Sequence, residues 1–69
     1  MEKMLELELL RTLVTIANLH SFAATAVHLD KTQSAITQQM QRLEEKIGHP
    51  LFEKQGRQKQ LTDHGQRLL

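Results

Sequence analysis

The sequence contains no cysteine, which excludes disulfide bonds, thiolate catalysis and zinc sites built on cysteine. It also lacks an apolar run as long as the roughly 18 residues that a membrane-spanning helix needs. Its first residues do not form the basic segment followed by an apolar segment that is typical of a signal peptide. We therefore expect a cytoplasmic chain without membrane association. A chain of 69 residues buries one small core, so a multidomain enzyme with an enclosed cleft is not expected.

Sequence motifs of enzymes and cofactor sites are missing as well. The histidines are the candidate ligands or bases, and no two of them stand four residues apart in one predicted helix beside a carboxylate; they are His20, His28, His49 and His64. There is no glycine-rich phosphate loop and no nucleophile elbow. The sequence thus predicts a protein that is not an enzyme and needs no metal or cofactor.

The composition is that of a folded domain with an uneven distribution of charge. Hydrophobic residues make up 39% and charged residues 25%, which is ordinary for a globular protein. Through Asp30 the chain has two basic and four acidic residues, whereas from Lys31 onward it has seven basic and four acidic residues. A basic C-terminal half indicates a partner that carries phosphate.

Apolar spacing predicts a first helix from Leu5 to Leu19 with two apolar stripes about 130° apart. The first stripe consists of Leu7, Leu10, Val14 and Ala17. The second stripe consists of Leu5, Leu9, Ile16 and Leu19. Because one stripe is enough for a monomer core, the second predicts either that the fold surrounds this helix or that a helix of a second chain covers it.

Capping residues divide the rest of the chain into elements. Ser21 predicts the start of a short second helix, Thr32 the start of a longer third helix and Gly48 the end of that helix. Thr62 predicts the start of a last helix, which reaches the apolar pair Leu68 and Leu69. The third helix has a predicted buried stripe at Ile36, Met40, Leu43 and Ile47.

Residues 51–54 and 58–61 fit two short strands around a turn that contains Gly56. Lys54, Arg57 and Lys59 make the tip of this hairpin basic, and such a tip can contact a phosphate backbone or a minor groove. We call the hairpin of residues 51–61 the wing. A basic turn on its own is usually only solvated surface, so its interpretation depends on the elements around it.

A short helix, a four-residue turn and a longer helix are the helix-turn-helix arrangement, whose second helix enters the DNA major groove. The outward side of the predicted third helix begins with residues whose amides and hydroxyls both donate and accept hydrogen bonds: Gln33, Ser34, Thr37 and Gln38, which we call the reading face. Glutamine pairs with adenine N6 and N7, and a good bidentate contact discriminates by about 1–3 kcal/mol. Together with the basic wing, this face favours DNA recognition over an ordinary polar surface.

Several segments in order resemble one family over about residues 5–69. They include Ser21-Phe22-Ala23-Ala24, Thr32-Gln33-Ser34-Ala35-Ile36-Thr37-Gln38-Gln39, Arg42-Leu43-Glu44, Pro50-Leu51-Phe52-Glu53-Lys54 and Leu61-Thr62-Asp63-His64-Gly65. They are similar to the N-terminal DNA-binding domain of the LysR-type transcriptional regulators, and the start of the third helix and the 62–65 segment look most similar to the branch that represses motility and virulence genes.

The resemblance implies a mainly α-helical winged helix-turn-helix with three helices, a two-stranded wing and the start of a linker helix. It divides the chain into a DNA-binding domain at residues 1–61 and the beginning of the dimerising linker helix at residues 62–69. It also implies double-stranded DNA as the partner, a homodimer or higher oligomer, and a small-molecule effector bound only by a separate C-terminal domain. Dimer-interface candidates are Leu5, Leu9, Ile16, Leu68 and Leu69.

Residue roles follow by position in the family. The base-reading role falls on the reading face, the wing contact falls on Arg57, and Thr32 and Arg42 are backbone or positioning residues. The charges of Lys31, Lys54 and Lys59 make them further candidates for backbone contacts. The sequence departs from the usual pattern at four places, which are His20 for glycine, Thr25 for alanine, Lys59 for an apolar residue and His64 for alanine. A small helical module that binds an acidic protein partner remains the alternative, and it predicts little dependence on DNA sequence.

Overall fold

A computed structural model describes residues 2–55 and 58–69 of the chain. Along the described chain the elements are α1 (Glu2–Leu19), α2 (Phe22–His28), α3 (Gln33–Ile47), β1 (Phe52–Gln55), β2 (Gln58–Leu61) and α4 (Asp63–Leu68). The mainly helical class with a two-stranded wing is therefore confirmed. None of the helices in this described part has the length and hydropathy that a membrane crossing requires.

The predicted helix starts are confirmed by their caps. At Ser21, Thr32 and Thr62 the side-chain oxygen accepts a hydrogen bond from the backbone N–H three residues later, at 3.0–3.1 Å. A cap of this kind stabilises a helix by about 1 kcal/mol. Gly48 ends α3 in the left-handed conformation with φ at 81°, where a side chain would be strained. Helix α1 begins at Glu2, before the predicted start at Leu5, because good helix formers extend it beyond the apolar pattern.

The core lies between α1, α2 and α3. On α1 it buries residues of the second stripe, whereas the first stripe is largely exposed. Leu9 and Ile16 of the second stripe are 0% and 4% exposed, and Leu13 is buried beside them. In the first stripe, Leu7 is 67% and Val14 is 44% exposed. The core is completed by Ala26, Ile36, Met40, Leu43 and Leu51.

The assignment of Leu9 and Ile16 to a dimer interface was therefore wrong, since both side chains pack within the chain's own core. The physical reason is that α1 turns the face containing Thr12 toward α3, where the Thr12 Oγ1 atom lies 2.6 Å from Gln39 Oε1. Helical spacing reveals that two stripes exist but not which of them the next helices cover. The side chain of Leu5 lies outside the described part of the chain.

The wing is an antiparallel hairpin in which Phe52 pairs with Leu61 and Lys54 pairs with Lys59. Strand β1 begins at Phe52, while the preceding Leu51 is fully buried and anchors the hairpin to the core. Strand β2 forms as predicted, although its Lys59 stands where an apolar residue is usual. Gly56 and Arg57, which the sequence predicts at the tip, lie outside the described residues, so the contact predicted for Arg57 stays a prediction.

Candidate nucleic-acid interface

The reading face is accessible from solvent at the start of α3. Gln33, Ser34 and Gln38 are exposed and Thr37 is half-buried. With Gln41 these four residues line one shallow surface depression. Their amide and hydroxyl groups can therefore approach a ligand edge without any rearrangement of the fold.

The wing lies on the same side of the molecule as the reading face. Gln33 and Thr37 line a groove whose other walls are the start of α2 and two wing lysines, Lys54 and Lys59. Both lysines are exposed and stand directly opposite each other in the hairpin. Like charges in this arrangement destabilise a hairpin, and an anion between them would offset the repulsion. The structure thus brings uncharged hydrogen-bonding groups and basic groups to a single surface.

Aromatic contacts fix the wing against α2. The Phe22 and Phe52 rings meet edge to face, with centroids 5.0 Å apart. The Lys59 Nζ atom lies 5.3 Å from the centroid of the Phe22 ring, which is within the range of a cation–π interaction. The stem of Lys59 can cover the aromatic pair while its charged group stays in water. This contact explains how a lysine fits a strand position that is usually apolar.

The other predicted backbone-contact residues differ in their surroundings. Thr32 uses its side-chain oxygen as the cap of α3, and Lys31 Nζ lies 3.6 Å from the Glu8 carboxylate. Exposed ion pairs of this kind contribute little, so Lys31 can exchange Glu8 for another anion at small cost. Arg42 is exposed on α3, beyond Gln38 on the side toward α1.

Two residues that the sequence did not assign also belong to this surface. Gln41 lines both the depression at the reading face and the neighbouring groove that includes Phe52, Lys54 and Lys59. Glu44 lines the same groove, and its Oε2 atom accepts hydrogen bonds from the backbone N–H groups of Leu51 at 2.7 Å and Phe52 at 3.3 Å. The helical position of Gln41 was visible in sequence, whereas the bonds of Glu44 depend on where the chain folds back.

Two departures from the usual family pattern, Thr25 in α2 and His20 just before it, are accommodated in different ways. Thr25 is fully buried, and its hydroxyl donates a hydrogen bond to the Ser21 carbonyl oxygen at 2.7 Å, so its polar atom is satisfied. His20 adopts a left-handed backbone conformation with φ at 56°, which explains why glycine suits this position. Neither residue removes a group from the reading face.

Comparison with known proteins gives the family. The sequence profile described as bacterial regulatory helix-turn-helix protein, lysR family, matches residues 7–66. The chain belongs to the LysR family. PecT of Dickeya dadantii (strain 3937), a helix-turn-helix-type transcriptional regulator, is 57% identical over 65 residues, which are 94% of this chain and 21% of PecT. DgdR of Burkholderia cepacia, another such regulator, is 46% identical over 94% of this chain and 22% of DgdR.

Solved structures of LysR-family proteins share the fold of this chain. The DNA-binding domain of CbnR in a DNA complex has a TM-score of 0.82 at 35% identity, covering 90% of this chain and 71% of that one. The DNA-binding domain of BenM in complex with catB site 1 DNA has a TM-score of 0.81 at 33% identity, covering 88% and 68%. The LysR-family chain described here spans about a fifth of the length of PecT and DgdR.

Proposed function

We propose that this LysR-family chain binds double-stranded DNA sequence-specifically as part of a transcriptional regulator. Helix α3 enters the major groove, and the wing contacts the backbone or the adjacent minor groove. The observation that carries the proposal is the common surface of the reading face with Lys54 and Lys59. Uncharged donors and acceptors suit base edges, whereas lysines suit phosphates.

The roles of individual residues follow from this placement. Gln33, Ser34, Thr37 and Gln38 contact base edges, and their paired donors and acceptors discriminate between base pairs. The backbone is contacted by Lys31, Thr32, Arg42, Lys54, Arg57 and Lys59. If the five basic residues of this set each met a phosphate, the logarithm of affinity would fall with the logarithm of salt with a slope of roughly −4 to −5 per protomer.

The regulator acts as a homodimer or higher oligomer on two half-sites. A single module of this size buries only about 600–1,000 Å² on DNA, so useful specificity calls for two. Exposed apolar side chains available for pairing include Leu7 and Val14 of the first stripe of α1, Leu68 at the end of α4 and Leu69 directly after it. We assign DNA binding to residues 1–61 and the start of the linker helix to residues 62–69. Any small-molecule effector binds elsewhere in the longer regulator, which functions in the cytoplasm by binding rather than catalysis.

Footprinting over a salt series, on genomic fragments and on random duplex, tests the proposal. Gln33→Ala should relax specificity, because it removes a base-edge contact and no charge. Lys54→Ala should weaken binding to all sequences alike and make the salt slope less steep by about one unit. Gln66→Ala on α4 and Lys46→Ala on the α1 side of α3 are matched controls. Equal losses for Gln33→Ala and Lys54→Ala on specific and random duplexes would contradict the assignment and favour an acidic protein partner.

A further inference from the structure

Glu44 joins the recognition helix to the wing. Its Oε2 atom accepts two backbone N–H bonds, from Leu51 at 2.7 Å and from Phe52 at 3.3 Å, where the chain enters β1. Among residues 2–55 and 58–69, these are the hydrogen bonds that connect a side chain of α3 with the wing. The aromatic and cation–π contacts of the wing lead to Phe22 of α2 instead.

The carboxylate of Glu44 lies among both basic and acidic side chains, since Glu53 also lines its groove. It lines the groove shared by Thr37, Gln41, Lys54 and Lys59. A negative charge there opposes phosphate binding, so its presence calls for a compensating role. The two charge-assisted hydrogen bonds supply one, because they are short-range, directional and satisfy the N–H of the fully buried Leu51.

We propose that Glu44 is a positioning residue for DNA binding, which sets the distance between the reading face and the wing lysines without touching DNA itself. With both N–H groups held by one oxygen, β1 starts at a fixed point beside α3, and Lys54 follows two residues after Phe52. Base and phosphate contacts are then made at one fixed spacing. This inference rests on the proposed function. It adds the residue that couples the base contacts of α3 to the phosphate contacts of the wing.

Two conservative variants distinguish a positioning role of Glu44 from an effect of its negative charge alone. Glu44→Gln removes the charge but keeps an acceptor oxygen at the same reach, whereas Glu44→Asp keeps the charge and withdraws the carboxylate by one methylene. If Glu44 positions the wing, Glu44→Gln should preserve wing contacts better than Glu44→Asp. If its charge merely repels phosphate, Glu44→Gln should bind more tightly and Glu44→Asp should behave as the parent chain.

The experiment is hydroxyl-radical and base-protection footprinting of the chain at saturation, with a salt series and thermal unfolding of each variant. Glu44→Asp should lose backbone protection beneath the wing and make the salt slope less steep by about one to two units, at about 0.9 per lost phosphate contact, while keeping base protection beneath α3. Glu45→Asp is the matched control, because Glu45 directly follows Glu44 in the chain and its side chain is exposed. This variant should change neither the base protection nor the backbone protection.

The outcomes distinguish this inference from the proposed function. Failure of the parent chain to protect any specific site refutes the proposed function. A parent chain with both protections, and a Glu44→Asp variant that retains wing protection and the full salt slope, overturns the role of Glu44 alone. Parallel loss of base and wing protection in Glu44→Asp, at unchanged melting temperature, also overturns it, because a positioning residue for the wing should spare the reading face.

Discussion

His49 and His64 stack their imidazole rings, with centroids 4.1 Å apart and 24° between the ring planes. His49 follows the end of α3 and His64 lies in the first turn of α4, so the contact connects α3 with α4. The hydroxyl of Thr62 strengthens the same junction by donating a hydrogen bond to the Pro50 carbonyl oxygen at 2.8 Å. The direction in which α4 leaves the other helices is therefore set by side-chain contacts.

His64→Ala should lower the free energy of unfolding by about 0.5–1 kcal/mol, because it removes one partner of an aromatic pair. The cap at Thr62 and the close packing of Gly65 remain, so the fold itself should persist. Urea unfolding followed by circular dichroism measures the change. His28→Ala, at an exposed position on α2, is the control and should have the smaller effect. A larger loss for the control would show that the stack contributes nothing.

Local signals made the helix starts and the reading face predictable from sequence. Ser21 and Thr32 cap helices through backbone N–H groups only three residues away, so their role is contained within a short segment. The outward direction of Gln33 and Gln38 follows from helical geometry once the buried stripe of α3 is known.

Contacts between distant segments could not be predicted in the same way. The choice between the two stripes of α1 depends on α3 packing beside Thr12, with Gln39 standing 27 positions further along the chain. The bonds of Glu44 to the start of β1 require the chain to fold back through Gly48 and Pro50. Periodicity and capping patterns do not encode either relationship, because each depends on how separate elements pack.

Thr12→Val should be destabilising by about 1–2 kcal/mol, since it keeps the shape but removes a buried hydroxyl beside the Gln39 amide. Thr12 is 1% exposed, and its hydroxyl also lies 3.0 Å from the Glu8 carbonyl oxygen. Thr15→Val provides the matched control, because the Thr15 hydroxyl is bonded only within its own helix, to the Arg11 carbonyl at 2.8 Å. Equal effects of the two substitutions in chemical denaturation would contradict a special role for the contact between α1 and α3.

Gly65→Ala should destabilise the chain more than Gly48→Ala, because the two glycines are needed for different reasons. A Cβ atom at Gly65 would stand 2.5 Å from the Leu51 carbonyl oxygen and 2.8 Å from the Leu61 side chain, so backbone would have to shift. At Gly48 nothing lies within 4 Å, and the cost is that of the left-handed φ of 81°, about 1 kcal/mol. Melting temperatures of the two variants test which substitution is the more destabilising. A larger loss for Gly48→Ala would mean that α4 can move away from Leu51 at little cost.

Leu9→Ala and Leu7→Ala test which stripe of α1 faces the core. Leu9 is fully buried, so its truncation should cost about 2–5 kcal/mol in transfer free energy and cavity formation. Leu7 is 67% exposed, and its truncation should change stability by no more than about 0.5 kcal/mol. Unfolding at low protein concentration measures both values without a contribution from self-association. Because the two residues lie on the same helix and receive the same substitution, the difference in helix propensity cancels. Similar losses of stability at both positions would mean that the first stripe is also packed within the monomer.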